Sequence, residues 1–113
     1  MLPEINLKWN EILDFLTEQF GQKPDMNKVL LLIGIRELGT ARSEFAKEEK
    51  VQLMHIAVCR VFSTGGYYKL EGLDENGWPH WEKVKDMPYL DVFEQESFLR
   101  QHIVEYFVSE DII

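Results

Sequence analysis

The sequence predicts an α+β domain with the element order α-α-α-β-β-α. Apolar residues recur at three- and four-residue spacing through residues 3–62 and again after residue 91, the signature of amphipathic helices. Between those stretches the pattern switches to two short runs rich in aromatics on either side of a turn, which reads as a β-hairpin. The chain has 113 residues, with no internal repeat and no linker-like segment, so a single compact domain over residues 1–113 is expected.

The first helix is predicted from about Pro3 to Phe20. Ile5, Trp9, Ile12, Leu13, Leu16 and Phe20 form its apolar stripe, and Gly21 is a natural stop. The second helix is predicted to start at Asp25, a good N-cap, and to end before Gly39. Its middle, Val29 to Ile35, is apolar nearly all round, so it belongs centrally in a core or against a partner. Gly34 costs about 1 kcal/mol in a helix interior, which points to a close packing contact there. The third helix is predicted from about Lys47 to Phe62. Glu48 and Glu49 suit its positive N-terminal end and Arg60 its last turn. Val51, Met54, Val58, Val61 and Phe62 are read as its inward face, widened by Leu53, Ile56 and Ala57.

The two strands are predicted over Tyr67–Glu71 and Trp78–Val84, around Asp74-Glu75-Asn76-Gly77. The expected register pairs Leu73 with Trp78, Glu71 with His80, Leu70 with Trp81 and Lys69 with Glu82, which sets opposite charges side by side. It puts Tyr68, Leu70 and Trp81 on one face and Tyr67, Trp78, His80 and Val84 on the other. A lone hairpin is marginally stable, so one face must pack on helices. Asp91 with Glu94 reads as a capping box opening the last helix, with Phe98, Leu99, His102, Ile103, Tyr106 and Phe107 as its apolar side. That helix is expected beside the hairpin. The tail from Val108 to Ile113 frays unless Ile112 and Ile113 dock.

Charge narrows the possible partners. Twenty Asp and Glu against 12 Lys and Arg give a net charge of −8, which disfavours nucleic acid and anionic membrane surfaces. Residues 1–66 hold 9 acidic and 8 basic side chains, whereas residues 67–113 hold 11 and 4. The acidity therefore reads as belonging to the hairpin and the last helix, and a partner there should be neutral or basic. One cysteine, Cys59, excludes an intrachain disulfide. The start of the chain lacks the pattern of a signal peptide, and the longest apolar run is far short of the roughly 20 residues a bilayer span needs, so a cytoplasmic location is expected.

Tyr67, Tyr68, Trp78, His80 and Trp81 are the densest aromatic cluster. A binding surface using Tyr67, Trp78, His80 and Trp81 and a hairpin core built from the same aromatics are both open. His55 and Cys59, four apart on a helix, share a face and are the only candidate seed of a metal site or of an activated thiol. Their apolar neighbours favour a core role. His102 reads as a satisfied helical histidine. Phosphate loops, nucleophile elbows, His-Glu-x-x-His and Cys-x-x-Cys pairs do not occur in the sequence. No cofactor and no catalytic residue is indicated.

The stretches Leu31–Gly39, Lys47–Ala57 and Asp74–Trp81, within residues 25–108, resemble a small bacterial family of unknown function. The resemblance implies a compact α+β domain and carries no activity. Three functions stay open. The first is a non-enzymatic interaction domain that uses the hairpin and the C-terminal helix, self-associating as a homodimer or binding a neutral or basic protein partner. The second is a small enzyme or ligand-binding protein with a pocket near His80 and Trp78. The third is a metal site at His55 and Cys59.

Overall fold

A computed structural model describes residues 3–42 and 44–113, so Met1, Leu2 and Ser43 lie outside the described residues. The fold is α+β. Its elements are α1 (Pro3–Phe20), α2 (Met26–Leu38), α3 (Lys47–Ser63), β1 (Tyr68–Leu73), β2 (Pro79–Lys83) and α4 (Val92–Ser109). The chain divides into two compact units, Met1–Pro24 with Met87–Ile113, and Asp25–Asp86. Among the described residues no helix is long and apolar enough to cross a membrane.

The first unit is α1 packed on α4. Trp9, Ile12, Leu13 and Leu16 of α1 and Ile103, Val104, Tyr106 and Phe107 of α4 are buried. Phe20, the last member of the expected stripe, is exposed, because the helix ends there and Gly21 turns the chain away at φ 78. The Arg100 guanidinium lies 5.4 Å from the centre of the Trp9 ring and its Nη2 pairs with Glu96 at 2.9 Å, which couples charge to the α1 face. The capping box at Asp91 and Glu94 forms as read from the sequence. The Asp91 carboxylate accepts from the Glu94 N–H at 2.8 Å, and the Glu94 carboxylate from the Asp91 N–H at 3.1 Å.

The tail does not fray. Asp111 takes a left-handed conformation at φ 56. The Ile112 N–H then donates to the Phe107 carbonyl at 2.9 Å, and the Asp111 N–H to Val108 at 3.1 Å. This is a Schellman closure, and it leaves Ile112 and Ile113 half-buried. His102 is buried. Its Nδ1 donates to the Phe98 carbonyl at 2.8 Å and its ring packs 4.4 Å from that of Phe98, so it is a satisfied core residue.

In the second unit α2 packs on α3, and α3 carries the hairpin. Asp25 caps α2 by accepting from the Lys28 N–H at 2.8 Å, and Gly39 closes it at φ 71. Val29, Leu30, Ile33 and Gly34 are buried, while Leu31, Leu32 and Ile35 are half-buried. The apolar surplus that suggested self-association is thus largely covered within one chain. Gly34 sits hard against α3, where a Cβ would come to 2.2 Å of the Leu53 carbonyl oxygen. The inward face of α3 is the expected one apart from its first member, with Met54 and Val58 half-buried. Leu53, Ile56, Ala57, Cys59, Val61 and Phe62 are buried, whereas Val51 is 58% exposed.

The hairpin keeps the expected antiparallel register at Lys69–Glu82 and Leu70–Trp81, and then departs from it. A bulge at Glu71 sets Gly72 opposite His80 and Leu73 opposite Pro79. The expected pairs of Glu71 with His80 and Leu73 with Trp78 are therefore replaced. Gly72 has φ 149, a conformation open to a residue without a Cβ, and this permits the extra residue. The base of the hairpin is held at the α3 end. Tyr67 packs edge-on against Phe62 at 6.3 Å, and Lys85 donates to the Gly65 carbonyl at 2.9 Å with its ammonium 4.2 Å from the Tyr67 ring centre.

Candidate functional site

The bulge determines what the hairpin presents. By adding one residue to β1 it lets Asp74 close the turn, with the Asp74 N–H donating to the Trp78 carbonyl at 2.9 Å. The Asp74 carboxylate then collects donors. Oδ1 accepts from the N–H groups of Asn76 at 2.9 Å and Trp78 at 3.0 Å, and Oδ2 accepts from His80 Nε2 at 3.0 Å. The hydrogen bond from His80 first, then that from Trp78, holds the Asp74 carboxyl below the usual carboxylate range. Because the carboxylate can only accept, the proton of this hydrogen bond is carried by His80 Nε2. His80 itself remains largely exposed, with 62% of its side-chain surface open.

Between this turn and the N-terminal half of α3 lies a cleft of about 680 Å³. Trp78, Pro79, His80 and Trp81 border it on the hairpin side, and Gln52, His55 and Ile56 on the helix side. Glu49, Val51, Asp74 and Asn76 complete it. The exposure of Val51 follows from the cleft, since it lies on the side of α3 that faces this opening. The Trp81 indole N–H is buried and has no hydrogen-bond partner among the described residues.

Both carboxylates of the cleft are already committed. Asp74 serves His80 and the turn. Glu49 takes a two-pronged ion pair from Arg42, at 2.8 and 3.0 Å, and caps α3 by accepting from the Ala46 N–H at 2.9 Å. Arg42 first, then the Ala46 N–H, lowers the Glu49 pKa. Among the described residues the cleft thus offers aromatic surface, amide and imidazole groups, and two carboxylates already engaged by hydrogen bonds.

Of the residues singled out from the sequence, Trp78, His80 and Trp81 come together here, whereas Tyr67 does not. Tyr67 is spent on Phe62 and Lys85 at the base of the hairpin. His55 and Cys59 do meet, with Nε2 3.6 Å from Sγ. Burial pushes the Cys59 thiol up to about 11, which disfavours the thiolate at neutral pH and so speaks against an activated nucleophile. Among the described residues no group of three or more His, Cys, Asp or Glu side chains could hold a metal ion. His55 instead contributes its ring to the cleft. Asp74 and Gln52 were not expected from the sequence. An aspartate opening a turn ahead of a histidine was the available signal for Asp74, and Gln52 gave none.

No family model matches the chain, and comparison with curated proteins and with solved structures gave no match.

Proposed function

We propose that the protein is a binding module whose α3–hairpin cleft receives an uncharged, flat group, either a small heteroaromatic molecule or an aromatic or proline side chain of a partner. The observation that carries this reading is the cleft of about 680 Å³, which brings Trp78, Pro79 and Trp81 against His55 and Gln52. Its size is that of a small-molecule site, and its lining combines apolar rings with a few polar groups. Trp78 supplies a wall for stacking at little entropic cost, while Gln52, Asn76 and His80 fix orientation by hydrogen bonds. An uncharged ligand suits carboxylates that are already engaged, Glu49 by Arg42 and Asp74 by hydrogen bonds from His80 and the turn N–H groups. A cation would have to compete with those pairs, and a free anion would meet the carboxylates.

A panel of uncharged aromatic and heteroaromatic fragments, screened by two-dimensional NMR on the full chain, tests this. The expected shifts centre on the Trp78 and Trp81 indole N–H signals, and Trp78→Ala weakens the best binders by about tenfold or more. Hits that map elsewhere, or affinities unchanged in Trp78→Ala, overturn the reading.

The His80–Asp74 pair favours a second reading, in which His80 Nδ1 acts as a general base towards a bound ligand. Among the described residues, the groups bordering the cleft include no Ser, Thr, Cys or Lys, so the proton that His80 takes comes from water or from the ligand itself. Turnover lost in His80→Gln but not in Trp78→Phe would select this reading over simple binding.

A further inference from the structure

Counted by unit, the acidity moves away from the hairpin. The unit Asp25–Asp86 holds 10 acidic and 9 basic side chains, a net of −1. The unit formed by Met1–Pro24 and Met87–Ile113 holds 10 acidic and 3 basic, a net of −7. The charge of the protein therefore sits on α1, α4 and the segments flanking them.

The same unit carries the most exposed large apolar side chains in the structure. Tyr89 is 104% exposed, Phe93 82% and Val92 76%, all at the entry to α4. A cluster of this kind on a water-facing surface marks a contact region. Beside it a groove of about 580 Å³ follows α4, with Ile5, Leu90, Phe93 and Phe98 as apolar lining and Glu94 and Glu105 among its polar groups. Residues 94, 98, 101 and 105 repeat at helical spacing, so they share one side of α4. At 1.5 Å per residue the two glutamates stand about 17 Å apart along the helix. Arg100, the lone basic side chain of α4, is engaged by Glu96 and by the Trp9 ring.

We infer that this groove receives a basic amphipathic helix of a partner protein. A bulky apolar side chain seats on Phe93 and Phe98, and Lys or Arg at either end of about three helical turns adds a charged donor to the uncharged ones that Glu94 holds in the Asp91 N–H and Glu105 in the Gln101 amide. Charge complementarity selects this occupant. A second copy of the chain would bring the same strongly acidic unit against itself, and an anionic membrane would be repelled as well. The inference is independent of the hairpin cleft, because no residue is shared between the two linings.

The test is a displayed library of amphipathic peptides of roughly 14 residues, about 21 Å long as a helix, selected on the full chain. Enriched peptides are then titrated by fluorescence anisotropy. The expected winners carry Lys or Arg at both ends of an apolar centre, and they bind more weakly as salt rises from about 50 to about 300 mM. Phe93→Ala and Glu105→Lys each weaken them by about tenfold or more, and Trp78→Ala leaves them unchanged. Phe93 is exposed, so its replacement keeps the fold, and circular dichroism checks that. Absence of enrichment, winners without basic ends, or winners indifferent to both α4 variants overturn the inference. Winners lost only in Trp78→Ala assign the peptides to the cleft and equally overturn it. So does a dimer by analytical ultracentrifugation that Phe93→Ala dissolves, since the occupant is then a second copy.

Discussion

Replacing Gly34 by alanine asks how α2 and α3 are held together. On an unhindered helix the change would stabilise, because alanine exceeds glycine by about 1 kcal/mol in a helix interior. Gly34 is hindered. Its added Cβ would stand 2.2 Å from the Leu53 carbonyl oxygen, 2.7 Å from the Leu53 carbonyl carbon and 3.0 Å from the Leu53 Cβ. The first two of these atoms are backbone, so no rotamer change relieves the clash. The helices must part by about 1 Å, and a gap of that order forfeits up to half of the dispersion energy of each contact across the seam. Val29, Leu30 and Ile33 on α2 and Leu53, Ile56 and Ala57 on α3 are buried and stand to lose those contacts. Overpacking of this kind costs about 1–3 kcal/mol, and a backbone obstacle belongs at the upper end. Subtracting the propensity gain leaves a net loss of about 2 kcal/mol. For a unit this small that lowers the melting temperature by roughly 8–16 °C. Urea unfolding at 25 °C, followed by far-ultraviolet circular dichroism and by tryptophan fluorescence, measures it. An unchanged or higher midpoint in Gly34→Ala, with an unchanged denaturant slope, would refute the close approach of α2 and α3.

Asp74→Asn lowers stability at neutral pH, because it weakens the acceptor of His80 and of the turn N–H groups. The Asp74 pKa is depressed in the folded state, so its stabilisation is present above the usual carboxylate value of about 4 and fades as pH falls through the lower folded value. Urea midpoints of the wild type and Asp74→Asn therefore converge as pH drops towards 3, and a gap that stays constant with pH counts against this linkage. Asp111→Gly stabilises by about 0.5–1 kcal/mol, since it removes a left-handed non-glycine residue and a negative charge beyond the C-terminus of α4. A melting temperature raised by a few degrees is the expected result. Cys59 is fully buried and its thiol protonated, so a disulfide reagent labels it only at the rate at which the protein opens. Immediate labelling of the native chain would show that the site is more open than this.

The helix ends were legible in the sequence because their causes are local. Asp25, Gly39, Asp91 and Glu94 act within four residues of themselves, and each does what its position implies. Gly34 was legible for a related reason, since a glycine that weakens an otherwise apolar helix needs a compensating contact. Trp78 and His80 announced themselves by type. Their pairing did not, because alternation along a strand places His80 opposite Glu71 unless an extra residue intervenes. That residue depends on Gly72 accepting φ 149 and on Asp74 closing the turn, a combination the hydrophobic pattern does not encode. The helix side of the cleft was illegible for a different reason. His55 and Gln52 reach the hairpin through packing across more than 20 residues of chain, and helical periodicity ranks a residue by its own face alone.

The charge distribution shows most clearly how sequence order and spatial order diverge. Along the chain, the surplus of acid begins with the hairpin. In space, the hairpin's own unit also contains α2 and α3, whose Lys28, Arg36, Arg42, Lys47, Lys50 and Arg60 bring it close to neutral. The surplus of α4 instead joins that of α1, because the N- and C-terminal segments share one unit. A single expectation of a neutral or basic partner for one aromatic, acidic surface thus separates into two. The cleft, in a near-neutral unit with both of its carboxylates paired, suits an uncharged group held by stacking, and such binding changes little with salt. The α4 groove, in a unit of net −7, suits a basic segment whose capture weakens as salt rises. Ionic strength therefore distinguishes the two surfaces without any mutation.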